Sequence, residues 1–192
     1  MNKIIIVSIT VATILLAVAC GNKKSNQNES TDTPAVSSTT FKNVDNTVAE
    51  QINAVFQHYF HLKNGLVAAD QNEAKAGAQG ILSTINAVDV SKLTAEQKTI
   101  FDTQTGIIKE NAQHIAETGD IKHQREHLGG LTNGVYALAK AFGGEKTLYY
   151  DYCPMANADK GGYWLSEKEE ISNPYFGDEM LNCGETKEII KR

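Results

Sequence analysis

The hydrophobic and polar positions divide the chain into an apolar leader, a polar segment and a longer region with helical periodicity. The apolar run of the leader extends from Ile4 to Val18 and is interrupted only by Ser8 and Thr10. A membrane-spanning helix needs roughly twenty apolar residues, and this run is shorter and leads directly into polar sequence. We therefore predict a secretory signal peptide at residues 1–19.

The end of the leader has the sequence of a bacterial lipoprotein signal. The small residues Ala17 and Ala19 stand close before Cys20. A signal protease needs small residues at its cleavage site, and the cysteine that follows is the residue that lipoproteins acylate. We expect Cys20 to become the lipidated N terminus, with palmitate or a similar chain, and to anchor the protein in the bacterial cell envelope. Gly21 and the absence of an acidic cluster after it favour a domain that faces the periplasm.

A polar segment follows the lipidation site. Residues 21–44 consist largely of Asn, Ser, Thr and Lys, with almost no large apolar side chain. Such a segment buries too little apolar surface to offset the entropy that is lost on ordering. The predicted organisation is therefore a lipidated cysteine with a flexible tether at residues 20–44 and a single domain at residues 45–192.

Four stretches of the domain place apolar residues three and four positions apart, as an amphipathic helix requires. The predicted helices occupy residues 48–65, 70–87, 94–119 and 120–142. Asp70 and Thr94 are predicted N-caps, because Glu73 and Gln97 follow them at the capping-box position. Runs of alternating β-branched residues are almost absent. We therefore predict an all-α fold, an up-and-down four-helix bundle with a long irregular aromatic-rich C-terminal segment packed on it.

Charge and motifs exclude several classes of function. The formal net charge is −5 at pH 7, which is too negative for a nucleic-acid-binding protein. The sequence has no Gly-rich phosphate loop, serine elbow or distinctive carboxylate pair. A Cys153 nucleophile with His114 as base is disfavoured, because Pro154 removes a backbone N–H that an oxyanion would need. We therefore predict no enzymatic activity and no catalytic residues.

The C-terminal segment holds two pairs of sulfur residues at the ends of an aromatic-rich loop. Cys153 and Met155 stand at its start, and Met180 and Cys183 at its end. Thiolate and thioether groups favour soft ions such as Cu(I) and Ag(I), so this set predicts a copper or silver site. A disulfide between the two cysteines is the alternative, since cysteine pairs outside the cytoplasm are usually oxidised. Closing a loop of about thirty residues would stabilise the fold by about 3–4 kcal/mol, and both interpretations stay open.

The histidines offer further ligands. His114 continues a seven-residue repeat of isoleucines, so we expect it to face the bundle interior. There it would be either a neutral core residue with a hydrogen-bond partner or a metal ligand that meets the sulfur loop. His123 and His127 are four residues apart, and His58 and His61 are three apart. Either spacing places both imidazoles on one helix face, where they clamp Zn(II) or Cu(II) or form an ordinary solvated surface.

The C-terminal segment also carries a long motif. Its parts are residues 149–156 (YYDYCPMA), 162–166 (GYWLS), 171–177 (ISNPYFG) and 180–184 (MLNCG), preceded by residues 115–121 (IAETGDI) and 124–125 (QR). Together they resemble the domain of unknown function family 3347, over a span from about residue 46 to residue 185. The resemblance implies a helical envelope domain that occurs as free lipoproteins in Bacteroidetes-type bacteria and as a domain appended to periplasmic adaptors of copper and silver efflux pumps. It therefore implies metal handling by association.

The sequence thus predicts a lipid-anchored envelope protein that binds Cu(I) or Ag(I) and buffers the ion or delivers it to a metal efflux adaptor. The predicted metal ligands are Cys153, Met155, Met180, Cys183 and His114. Its partners would be the membrane, through the N-terminal lipid, and the adaptor, with no nucleic acid. The alternative is a structural or protein-interaction module with a Cys153–Cys183 disulfide and no metal.

Overall fold

The computed structural model describes residues 33–191, which belong to one compact unit. The predicted signal peptide, Cys20 and the first part of the predicted tether lie outside these residues. Among the helices of the described part, none is both long enough and apolar enough to cross a membrane.

Four long helices form the larger part of the described chain. They are α1 (Asn46–Val67), α2 (Gln71–Asn86), α3 (Ala95–Glu117) and α4 (Ile121–Phe142). Each begins after a side chain that accepts hydrogen bonds from backbone N–H groups of the first turn, namely Asp45, Asp70, Thr94 and Asp120. The Thr94 cap forms the predicted reciprocal capping box with Gln97. The four predicted helices are therefore confirmed.

The helices pack in sequence order, α1 on α2, α2 on α3 and α3 on α4, around one apolar core. The contact between α1 and α2 is closest at two glycines. A Cβ atom on Gly65 would lie 2.5 Å from the backbone nitrogen of Ala74, and one on Gly77 would lie 2.5 Å from the backbone nitrogen of Leu62. These glycines let the two helix backbones approach more closely than any larger side chain would allow.

The prediction of an all-α fold is wrong, because a short segment before α1 and the chain after α4 form a four-stranded mixed sheet. Its strands are β1 (Ala35–Ser37), β2 (Leu148–Cys153), β3 (Gly162–Ser166) and β4 (Glu185–Ile190), in the order β1-β4-β2-β3. Strand β1 runs parallel to β4, whereas β2 is antiparallel to both β3 and β4. The fold therefore combines a helical part with a sheet.

The strands escaped prediction because they are short and lack the expected alternation of β-branched residues. Strand β2 reads LYYDYC and β4 reads ETKEII, so aromatic and charged residues occupy most of their positions. Their pairing is also remote in sequence, since Ala35 of β1 lies opposite Glu188 of β4. Local periodicity does not encode such long-range contacts. Strand β1 also lies within the predicted tether, so the packed structure begins before residue 45.

The sheet is held against α1 and α4 by buried residues of β3. Trp164 and Leu165 are fully buried. The hydroxyl of Tyr59, from α1, accepts a hydrogen bond from the Leu165 N–H at 3.0 Å and shares another with the Thr132 hydroxyl of α4 at 2.8 Å. These contacts fix the C-terminal segment, including both of its cysteines, relative to the helices.

Candidate metal centre

The two cysteines of the C-terminal segment are in contact. Cys153 ends β2 and is buried, whereas Cys183 precedes β4 and is partly exposed. Their sulfur atoms lie 2.7 Å apart, and both residues are free thiols in this structure. The hydrogen bond to Cys153 raises the pKa of the Cys183 thiol to about 11. This shift disfavours the thiolate form that a metal ion requires.

The separation of the two sulfur atoms is closer to that of a disulfide than to that of a metal site. Two sulfurs that bind one ion at about 2.3 Å lie about 3.8 Å apart in a tetrahedral site and farther apart in a linear one. A disulfide of about 2.05 Å, by contrast, requires the two sulfurs to approach by only about 0.7 Å. The backbone of Cys183 is also held in place, since its carbonyl accepts a hydrogen bond from the Asn173 side chain at 2.7 Å. This geometry favours a bond over a shared ion.

The two methionines line a pocket that neither thiol lines. Met155 and Met180 line one pocket together with Tyr175 and Phe176, and neither cysteine belongs to its lining. Met155 is 47% exposed. The structure therefore divides the four predicted sulfur ligands into a thiol pair and a thioether pair.

The expectation that His114 faces the bundle interior is wrong. The interior face of α3 is formed by residues spaced four and three apart, namely Phe101, Thr105, Ile108, Ala112 and Ile115. His114 precedes Ile115 by one position, which turns its side chain about 100° away from that face, and it is exposed. The seven-residue repeat of isoleucines does not mark the buried face of the helix, because Ile107, which belongs to it, is itself 38% exposed.

His114 instead meets two histidines of α4. Because a short connection joins α3 to α4, the end of one helix lies beside the start of the other. The His114 and His127 rings stack with centroids 4.2 Å apart and an interplanar angle of 4°, and the His123 ring lies edge-on to His127 at 4.7 Å. One ligand nitrogen from each ring lies within 4.8 Å of the other two. Within residues 33–191, these three histidines form a group of His, Cys, Asp or Glu side chains large enough and close enough to hold one metal ion.

Hydrogen bonds orient two of the three rings. His127 Nδ1 bonds to Asn111 Oδ1 at 3.1 Å, and His123 Nδ1 bonds to Glu126 Oε2 at 3.3 Å. Both partners are acceptors, so Nδ1 is the donor in each ring, and each neutral imidazole keeps its lone pair on Nε2. The Asn111 amide is itself oriented, since its Nδ2 donates to the Ile107 carbonyl at 2.9 Å. Metal-binding histidines commonly have such partners, which fix the tautomer and the ring direction.

The electrostatic environment keeps His127 in its binding form. Burial lowers its pKa, and the neighbouring His114 and His123 lower it further because a second positive charge there would be repelled. A neutral imidazole is the form that binds a metal ion. His127 is therefore available as a ligand at neutral pH.

The sequence contains part of the signal for this cluster. The spacing of His123 and His127 predicts that they share a helix face, but it does not place His114 beside them. His114 lies three residues before Glu117 at the end of α3, and His123 lies two residues after the start of α4. Residues at similar distances from a short helix–helix connection lie side by side. The other predicted pair does not gain a third ligand within the described residues, and its member His61 bonds to a glutamate on α2.

Comparison with known proteins adds one finding. The model of the family described as "Protein of unknown function (DUF3347)" matches residues 55–147. This range includes the three clustered histidines and ends before Cys153. Comparisons with curated proteins and with solved structures found no match. The predicted resemblance to this family is therefore confirmed over residues 55–147.

Proposed function

We propose that this protein binds a transition-metal ion through His114, His123 and His127, as a metal-binding protein of the bacterial cell envelope. The observation that carries the proposal is the convergence of three imidazoles from two helices, with ligand nitrogens within 4.8 Å of one another. Three nitrogens that bind one ion at about 2.0–2.1 Å lie about 3.3 Å apart in a tetrahedral site. Side-chain rotation can close the remaining gap, because His114 is exposed and the other two rings are partly exposed.

The donor set restricts the ion. Imidazole nitrogen suits Zn(II), Cu(II) and Ni(II), whereas Mg²⁺ and Ca²⁺ prefer oxygen ligands. Among the divalent ions, Cu(II) binds most tightly to a given set of nitrogen ligands. Three protein ligands leave at least one coordination position to water, as in catalytic rather than structural zinc sites. An open site on an exposed helix pair suits buffering and transfer of an ion.

In this proposal the two cysteines form a disulfide and do not bind the ion. Their sulfurs lie 2.7 Å apart, which is nearer to the length of a disulfide than to the separation in a metal site, and Met155 and Met180 line a pocket to which neither cysteine contributes. The histidine cluster thus replaces the Cu(I) or Ag(I) site expected from the four sulfur residues. Anchoring through Cys20 and transfer of the ion to an efflux adaptor are parts of the proposal that depend on the leader sequence and on the family resemblance. Fractionation tests the anchor, since a Cys20→Ala variant should leave the membrane fraction.

Metal titration tests the histidine site. Calorimetric titration of the chelator-treated protein with Zn(II) and with Cu(II) should give one equivalent, with Cu(II) bound more tightly. Replacing any one of the three clustered histidines with alanine should weaken binding by more than about 100-fold, which exceeds the usual effect of an outer partner. His58→Ala removes a histidine from outside the cluster and should change nothing. Wild-type affinity in all three cluster variants would overturn the proposal.

A further inference from the structure

A pocket of about 860 Å³ lies between α4 and the segment that joins Cys153 to Cys183. Lys122, Arg125 and Glu126 line it from α4, and their spacing of three and four residues places them on one helix face. The joining segment supplies the rest of the lining. The volume lies within the range of small-molecule sites, roughly 300–1,000 Å³.

One part of the pocket is apolar. Met155, Tyr175, Phe176 and Met180 contribute thioether and aromatic surface to the lining. Met155 remains 47% exposed although it is a large apolar residue, so its side chain lacks apolar cover, whereas Tyr175 is largely buried. Methionine adapts its shape to different partners, which is why it is common at binding surfaces that accept apolar groups.

Another part of the pocket is cationic, and Arg125 is its fixed centre. Arg125 Nε donates to the Pro174 carbonyl at 2.9 Å, and Nη2 donates to the Leu66 carbonyl at 3.0 Å. Both acceptors are neutral, so these bonds hold the guanidinium in position without cancelling its charge. A guanidinium has five N–H donors, and these two bonds leave others available for an anion.

The remaining charges of the lining add to this cationic character. Lys122 and Lys160 form no ion pair within residues 33–191. Two carboxylates also line the pocket, and one of them, Glu126, is bonded to His123. Three cations of the lining therefore face Asp159, the lining carboxylate that is not already bonded, and Glu179, outside the lining, also attracts Arg125.

The backbone at the pocket wall is strained. Asn157, Ala158 and Asp159 are consecutive residues with φ values of 55°, 56° and 63°, a left-handed conformation that residues with a side chain rarely adopt. Strain of this kind clusters at ligand-binding sites, where the surrounding structure maintains it. Here all three strained residues line the pocket.

We propose that the pocket binds a small amphipathic organic anion that is free in solution. Its apolar body lies on Met155, Met180 and the two aromatic rings, and its carboxylate meets Arg125 and the two lysines. The proposal is independent of the metal site, because none of the three clustered histidines lines the pocket.

Calorimetric titration with four probes tests this proposal. Decanoate, decanol and decylammonium share one chain length and differ in charge, whereas acetate has the charge without the apolar body. We expect one equivalent of decanoate to bind at least tenfold more tightly than decanol, decylammonium to bind more weakly still, and acetate to show no saturable binding. Decanol binding as tightly as decanoate, or acetate as tightly as decanoate, would overturn the proposal.

Two charge-matched variants locate the site. In Lys122→Gln/Lys160→Gln, decanoate affinity should fall at least fivefold, towards that of decanol. Lys75→Gln/Lys109→Gln makes the same change of charge on α2 and α3, outside the lining, and should leave decanoate affinity within twofold of wild type. Equal losses in both variants would mean that decanoate responds to net charge alone, which contradicts a site in this pocket.

Discussion

Asn111 fixes the tautomer of the His127 ring, because it accepts the hydrogen bond of His127 Nδ1. Asn111→Ala removes that acceptor and lets the ring rotate or change tautomer. We expect Zn(II) affinity to fall by about 10–100-fold, the usual effect of losing an outer partner, with the stoichiometry unchanged at one. Calorimetric titration measures both quantities.

Gly130 provides a second way to displace Asn111. A Cβ atom on Gly130 would lie 2.5 Å from Asn111 Oδ1, so Gly130→Ala should push the amide away and weaken Zn(II) binding in the same direction. Gln113→Ala, on the exposed side of α3, serves as the control and should keep wild-type affinity. Full affinity in both Asn111→Ala and Gly130→Ala would show that the ring needs no outer partner.

Asp151 is a buried carboxylate with one oxygen, Oδ2, that has no hydrogen-bond partner among the described residues. Burial raises its pKa to about 6, although a hydrogen bond from Thr186 and the charge of Lys63 act in the opposite direction. The folded protein therefore holds the Asp151 proton more tightly than the unfolded chain, whose ordinary value is 3.8. The stabilising contribution of this proton is complete below pH 3.8 and is lost as the pH rises through about 6.

Asp151→Asn removes this titration while keeping an acceptor for Thr186. Between pH 4 and pH 7 the wild type should lose about 2–3 kcal/mol of unfolding free energy relative to the variant. Lys63, whose pKa is lowered to about 8 by burial, stays protonated over this interval and does not obscure the comparison. Urea denaturation at both pH values provides the measurement. Asp102→Asn, which changes an exposed carboxylate, is the control and should differ much less from wild type in the pH dependence of its unfolding free energy. If the unfolding free energies of wild type and Asp151→Asn changed in parallel with pH, the raised pKa of Asp151 would be refuted.

At the scale of the helices, the close contact of α1 and α2 depends on glycine. Gly77→Ala places a Cβ atom 2.5 Å from the backbone nitrogen of Leu62, which a side-chain rotation cannot relieve. We expect the variant to lose about 2–3 kcal/mol of unfolding free energy, as overpacked cores do. Gly106→Ala on α3 is the matched control, because no atom lies within 4 Å of its added Cβ. There the substitution should stabilise by about 0.5–1 kcal/mol through helix propensity alone. Equal effects on stability in the two variants would contradict a tight α1–α2 contact.

Helices and strands differed in how far the sequence could predict them. Helix starts are encoded locally, so Asp70 and the Thr94–Gln97 capping box identified two of them correctly. Strand β1 has three residues, and its pairing with β4 becomes visible only after the whole chain has folded.

The thiol contact could be anticipated from the cysteine count. The separation of Met155 and Met180 from the thiols could not, because it depends on how the irregular segment turns.

At the scale of the whole molecule, the Cys153–Cys183 contact closes the segment that carries β3 and most of the pocket lining. A covalent link between the two ends of this segment would restrict the unfolded chain. In the chain-entropy model a closed loop of about thirty residues contributes about 3–4 kcal/mol. Oxidation would remove two protons and two electrons from the thiols, which a disulfide-bonded oxidant would accept by exchange.

We therefore expect the oxidised protein to have no reactive thiol at Cys153 or Cys183 and to lose about 3–4 kcal/mol of unfolding free energy when a reductant is added. Thiol counting in denaturant and urea denaturation with and without reductant measure the two effects. The Cys153→Ser/Cys183→Ser variant is the control, because its stability should not respond to reductant. Two reactive thiols after oxidation, or a wild type insensitive to reductant, would contradict the disulfide. The same variant should still bind one equivalent of Zn(II), because His114, His123 and His127 lie outside the closed loop. The disulfide and the metal site are therefore tested separately.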